Sequence, residues 1–123
     1  MLAALFALVL ATPFPVLSIH TLIPLAEAAP KVWTVPEMQE LATKKAKEHG
    51  LKVKKFLQVI ECESGWDRFA KGDNGKSHGL AQFYYPGRWG ISTSSAYEPD
   101  IALKIMAQAW DDGRASEWSC WRP

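Results

Sequence analysis

Lys52-Val53-Lys54-Lys55-Phe56-Leu57-Gln58-Val59-Ile60-Glu61-Cys62-Glu63 is the stretch on which the reading of this chain turns. Val53, Phe56, Leu57 and Ile60 stand at i, i+3, i+4 and i+7, which predicts an amphipathic helix, and Gly65 is placed to end it. One residue breaks the pattern. With Phe56 set at zero on a helical wheel, Val59 falls at about −60°, Ile60 at about +40° and Glu63 at about −20°. Glu61 falls at about +140°, on the polar side. Glu63 therefore shares the apolar stripe. A carboxyl group aimed at apolar surroundings has its charged form disfavoured, so its pKa is expected to rise. That is the condition for a general acid still protonated near neutral pH. The plainer alternatives are that Glu63, at the helix end, turns out to solvent or pairs with Arg68.

Outward from this segment, two more helices are predicted. Thr34-Val35-Pro36-Glu37 combines a Thr cap, a Pro in the first turn and a Glu three residues after the cap. Met38, Leu41, Ala42 and Lys45 follow at helical spacing, and Gly50 is a natural stop. Glu98-Pro99-Asp100 opens the third helix, with Leu103, Met106, Ala107 and Trp110 as its stripe and Gly113 at its close. Between them, Gly72 to Gly90 is rich in Gly, Asn, Ser and aromatics and has no sustained period. It reads as loop, with short strands or a helical turn. The chain contains no internal repeat and no low-complexity segment.

The apolar share is 48% of 123 residues, and it is unevenly spread. No charged side chain precedes Glu27, and all 14 Lys and Arg lie from Lys31 onward. Met1 to Ala11 is an unbroken apolar run, shorter than the roughly 20 residues that span a bilayer, and Pro13, Pro15 and Pro24 interrupt the residues after it. Ala26-Glu27-Ala28 supplies the small-x-small pattern of a signal-peptidase site, so 1–28 reads as a signal peptide cut after Ala28. The alternative is an uncleaved anchor, which would tie the domain to a membrane. Either reading exports residues 29–123 to the periplasm, the cell envelope or the medium. These roughly 95 residues suffice for one small domain. A net charge of +1 argues against a nucleic-acid binder, and the supply of aromatic and aliphatic residues argues against disorder.

Cys62 and Cys120 are the two cysteines, both in the exported part, where a pair is usually bridged. A bridge between them would tie the end of the chain to its middle, for roughly 4 kcal/mol in the chain-entropy account. A metal site using these thiols with His78 is the competing reading, and neither cysteine has a ligand spacing.

Cys62-Glu63-Ser64-Gly65-Trp66-Asp67, followed by Ser77-His78-Gly79-Leu80-Ala81-Gln82-Phe83, resembles the Glu-Ser and Gly-Leu-Met-Gln signatures of lytic transglycosylases with the lysozyme-like fold. The end of the chain, Pro99-Asp100-Ile101-Ala102 through Trp118-Ser119-Cys120-Trp121, is similar to small secreted members whose C-terminal Cys pairs with the Cys before the catalytic Glu. The resemblance runs from about Phe56 to Trp121. It implies a mainly α, α+β lysozyme-like single domain that cleaves the β-1,4 bond between N-acetylmuramic acid and N-acetylglucosamine in peptidoglycan, as a monomer and without cofactor or metal. Residue by residue it implies Glu63 as the single catalytic acid and base, Ser77 and Gln82 lining the sugar cleft, and Tyr84 or Tyr85 as an aromatic beside it. Ala81 departs from the family Met. Glu98 follows Ala96-Tyr97 where many larger members have Asn, so a tyrosine positioning the acid is not carried over.

A second carboxylate would convert the expectation to a hydrolysing lysozyme, and Asp67 and Asp73 are its candidates. Asp73-Asn74-Gly75 reads more naturally as turn chemistry. Among the six tryptophans, Trp110 is expected in the core and Trp118 and Trp121 over the disulfide. Trp66 and Trp89, with Tyr84 and Tyr85, are the candidates for stacking on sugar. Lys44 to Lys55 holds six lysines against Glu48 alone, a solvated helical face or an attractor for anionic cell wall. From other classes, a non-catalytic glycan-binding or inhibitor module and an anchored envelope protein remain alternatives. The retained Glu63 and Gln82 count against the first, and the signature loop counts against the second.

Overall fold

The computed structural model describes Pro13 and residues 29–122. The predicted signal peptide, 1–28, otherwise lies outside the described residues. The chain divides into two compact units, Met1–Lys31 and Val32–Pro123, and every helix and strand named below belongs to the second. It is a small single domain, mainly helical, with a three-stranded sheet and one disulfide.

The three predicted helices form. Helix α1 is Val35–Glu48, and its start is a capping box. The Glu37 N–H donates to Thr34 Oγ1 at 3.3 Å, and the Thr34 N–H donates to Glu37 Oε2 at 2.8 Å. It buries Met38, Ala42 and Ala46. Ala46 takes the place expected for Lys45, which is half-buried and paired with Glu48. Helix α2, Val53–Ser64, buries Phe56, Val59 and Ile60 and stops where Gly65 turns left-handed, at φ +59°. Val53 and Leu57 are half-buried, so the buried stripe centres on Phe56, the direction that Glu63 shares.

The stretch from Gly72 to Gly90 holds both short strands and tight helical turns. Strands β1 (Lys71–Gly72), β2 (Ser77–His78) and β3 (Phe83–Tyr84) run antiparallel in that order, with Gly72 opposite Ser77 and Ser77 opposite Tyr84. A four-residue helix that the sequence reading did not anticipate, α3 (Thr93–Ala96), follows, capped by Ser92. Helix α4, Pro99–Asp111, buries the whole predicted stripe of Leu103, Met106, Ala107 and Trp110. Helix α1 packs against both α2 and α4. Among the described residues, no helix is long and apolar enough to cross a membrane.

The last residues fold back in two 3₁₀ turns, Ala115–Glu117 and Ser119–Trp121. The Cys62–Cys120 disulfide joins the second turn to the end of α2, with the two Cα atoms 6.0 Å apart. An aromatic chain runs through the core: Phe56 meets Trp110 edge-on at 5.1 Å, Trp110 meets Trp118 at 6.3 Å, and Trp118 meets Phe83 at 6.3 Å and Trp89 at 5.3 Å. Trp118 is therefore more than a cover for the disulfide. It is a buried core residue that links α4 to the sheet.

Candidate functional site

Glu63 occupies the last turn of α2, one residue after the bridged Cys62. It is half-buried and lines a cleft of about 520 Å³. It neither pairs with Arg68 nor turns free to solvent. Arg68 pairs with Glu98 at 3.0 Å. The Glu63 Oε1 atom accepts from the Cys120 backbone N–H at 3.0 Å and from the Ser119 hydroxyl at 3.3 Å. Oε2 takes no hydrogen bond among the described residues. The disulfide and these two hydrogen bonds form one clamp, so the end of the chain fixes where the carboxylate sits.

Ser77, Gln82 and Tyr84 line the same cleft. The reasons are local. Ser77 is central in the sheet and 1% exposed, and its hydroxyl donates to Asp73 Oδ2 at 2.5 Å. Asp73, Asn74 and Gly75 all have positive φ, a run of left-handed residues that folds the strand connection back on itself. The Gln82 side-chain amide donates to the Ala70 and Gly79 carbonyls at 3.1 and 2.9 Å, stapling both ends of the loop. A Cβ on Gly72 would lie 2.4 Å from Gln82 Oε1, so a larger residue there would push the Gln82 side chain from its place. Each residue of Ser77-His78-Gly79-Leu80-Ala81-Gln82 thus has a task in building the cleft wall. Leu80 and Ala81 are buried, the Ala81 carbonyl accepts from Trp118 Nε1 at 2.7 Å, and His78 Nδ1 lies 2.7 Å from the Tyr97 hydroxyl.

Two sequence expectations are corrected. Trp66 is 5% exposed, belongs to the core and does not line the cleft. Gly65 and Trp66 are successive left-handed residues, at φ +59° and +63°, and this reversal places the indole inside. Tyr85 lines an adjoining cavity instead, while its ring meets that of Tyr84 edge-on at 4.5 Å. Asp67 also stands apart, accepting from the Phe69 N–H at 2.9 Å.

Sequence reasoning missed a second wall of the cleft, made of Arg114, Glu117, Trp118 and Ser119, and also Arg88, which lines the cleft from the turn Pro86–Trp89. Arg114 lies over the Trp89 ring, 4.2 Å from its centroid, and pairs with Glu117. Its hydrogen bond to Glu117 raises the guanidinium further above its ordinary value, so it stays a cation. The signal for this wall was the cysteine pair. A bridge to Cys62 obliges the neighbours of Cys120 to sit beside Glu63. Among the described residues, no group of three or more His, Cys, Asp or Glu could hold a metal ion.

Chemically, the arrangement offers one carboxyl oxygen held still and one left open, inside a cleft with polar and aromatic walls. Asp73 and Glu117 line it too, each already engaged, by the Ser77 hydroxyl and by Arg114. No family model, curated protein or solved structure matches this chain.

Proposed function

We propose that this domain is an exported peptidoglycan-cleaving enzyme of the lytic transglycosylase type, on a lysozyme-like fold. The supporting observation is Glu63 itself: a helix-terminal carboxylate, clamped at Oε1 and open at Oε2, in a cleft that Ser77, Gln82 and Tyr84 also line. In this reading, protonated Glu63 gives its proton to the glycosidic oxygen between N-acetylmuramic acid and N-acetylglucosamine. The bond from that oxygen to the muramic C1 breaks, and the substrate's N-acetyl group stabilises the cationic carbon. The Glu63 carboxylate then takes the proton of the muramic 6-hydroxyl. That oxygen bonds to C1, which closes a 1,6-anhydro ring and leaves Glu63 protonated again.

Hydrolysis is the second reading, and one observation favours it: Asp73 lines the same cleft as Glu63. Its engagement with the Ser77 hydroxyl favours a structural task instead. Digestion of purified peptidoglycan by wild type and Glu63→Gln separates the readings. Wild type is expected to release muropeptides one water lighter than hydrated ones, and Glu63→Gln to be slower by at least about 100-fold. Hydrated reducing ends would identify a lysozyme. No release by wild type would leave a glycan-binding module, and full activity in Glu63→Gln would remove Glu63 from the mechanism.

A further inference from the structure

We propose that Arg88 opens a side subsite that takes the acidic peptide branch of the glycan strand. The inference rests on reading the Glu63 cleft as a peptidoglycan site, and names a feature of the substrate that the cleft selects. Arg88 is exposed and lines three cavities at once: the Glu63 cleft and two neighbours of about 320 and 550 Å³. It forms no ion pair among the described residues. Its guanidinium lies over the Tyr85 and Tyr84 rings, 4.9 and 5.6 Å from their centroids. The two rings stand nearly perpendicular, so these are cation–π contacts that keep the guanidinium near the aromatic pair. No acidic partner among the described residues occupies its N–H groups, which suit a two-bonded fork with a carboxylate. Arg114, the other cation of the cleft, is already engaged by Glu117.

A linear polymer lying along a cleft must send any branch out sideways, and the branch of a muramic residue is a short peptide ending in carboxylates. The 320 Å³ cavity is the better exit, because Arg88, Trp89 and Arg114 line both it and the cleft. Beyond them it presents Lys104 beside half-buried Ile105, a cation next to apolar surface suited to alanine methyl groups. The acidic group there, Asp112, accepts from Gln108 Nε2 at 3.0 Å, and His49 is bonded to Asp111 at 3.0 Å. The negative charge of Asp112 also acts on Arg114. Against the three cations lining the cavity, Arg88, Lys104 and Arg114, it leaves a net positive charge, with Arg88 and Lys104 in no ion pair among the described residues. The 550 Å³ cavity shares Arg88 alone with the cleft.

The test uses the Glu63→Gln chain, so that strands are bound and not consumed. Its affinity is measured for peptide-bearing glycan strands and for the same strands stripped of peptide. The expected preference for peptide-bearing strands is about tenfold, a value one charged fork supplies. Arg88→Gln is expected to bring that preference below about twofold, and Lys104→Gln to about threefold, with high salt acting in the same direction. Equal affinity for the two kinds of strand, or a preference untouched by Arg88→Gln, would overturn the subsite. A preference lost in Lys76→Gln and kept in Lys104→Gln would overturn the choice of cavity. The two readings fail separately: a wild type that binds with this preference but releases no muropeptide sinks cleavage alone, and one that cleaves without preference sinks the subsite alone.

Discussion

The two walls that face Glu63 are held by different physics. One, from β1 to β3, is built by neighbours in sequence: Asp73 with Ser77, Gln82 with Ala70 and Gly79, and a run of left-handed residues at the turn. The other, from Arg114 to Ser119, is held by partners far away in sequence, through the Cys62–Cys120 bridge and the bond from Trp118 to the Ala81 carbonyl. The first wall is stapled at many points and should resist any single loss except one of backbone shape. The second hangs on few points and should fail with either of them. Only the second bears directly on the carboxylate: its Ser119 hydroxyl and the N–H of the adjoining Cys120 donate the two hydrogen bonds to Glu63 Oε1.

The largest effect expected is removal of the bridge. The double substitution Cys62→Ser with Cys120→Ser should lower stability by about 4 kcal/mol, seen as an earlier midpoint in urea. Under the proposed function it should also lower cleavage more than unfolding accounts for, because the Cys120 N–H is no longer pinned beside Glu63. Activity proportional to the folded fraction would show that the clamp does not matter. Gly79→Ala attacks the first wall through its backbone. A Cβ there would lie 2.0 Å from the Ala96 carbonyl oxygen at a φ of +80°. Neither the carbonyl nor the left-handed conformation yields cheaply, so a loss of about 3 kcal/mol is expected. A loss below about 1 kcal/mol would mean that the loop and α3 separate easily.

The contrast also explains what could be read from the residues in advance. Helices α1, α2 and α4 were legible because apolar spacing and caps are local codes, and the Cys62–Cys120 bridge followed from an exported pair. In the first wall, Ser77 and Gln82 were legible as a motif, but their hydrogen bonds were not, because Ser77 and Gln82 could each serve substrate or backbone equally well. Trp66 was misplaced for a related reason. Its side of the chain is decided by a reversal at two left-handed residues, and only the first of these, Gly65, carries a residue type that announces it. In the second wall, Arg114 and Glu117 carry no pattern at all. Their position depends on where the disulfide draws the tail.

Trp118→Phe tests the second wall at its other support. The ring remains to fill the space between Trp110, Phe83 and Trp89, but the N–H to the Ala81 carbonyl is lost. The unpaired buried carbonyl and the smaller ring should together cost about 2 kcal/mol. Calorimetry would show this as a lower Tm. A change within about 0.5 kcal/mol of wild type would mean that packing alone seats the tail, and that the second wall has one real support, the disulfide.

Ser77→Ala is the smallest change expected and the sharpest test of what the first wall is for. The hydroxyl is buried and spends its one proton on Asp73, so its removal takes away a single hydrogen bond to a charged group within an exposed turn. A loss of about 1 kcal/mol is expected, because solvent can reach Asp73 and the Gln82 staples stay in place. Under the proposed function, if Ser77 serves the wall alone, KM for glycan strands should stay within about twofold, since a shift that small needs no lost contact. If its oxygen also accepts from a sugar hydroxyl, KM should rise by roughly fivefold or more at the same stability cost. Denaturation and cleavage measured on the one variant therefore decide whether a multiply stapled wall also touches its substrate or only holds the cleft open.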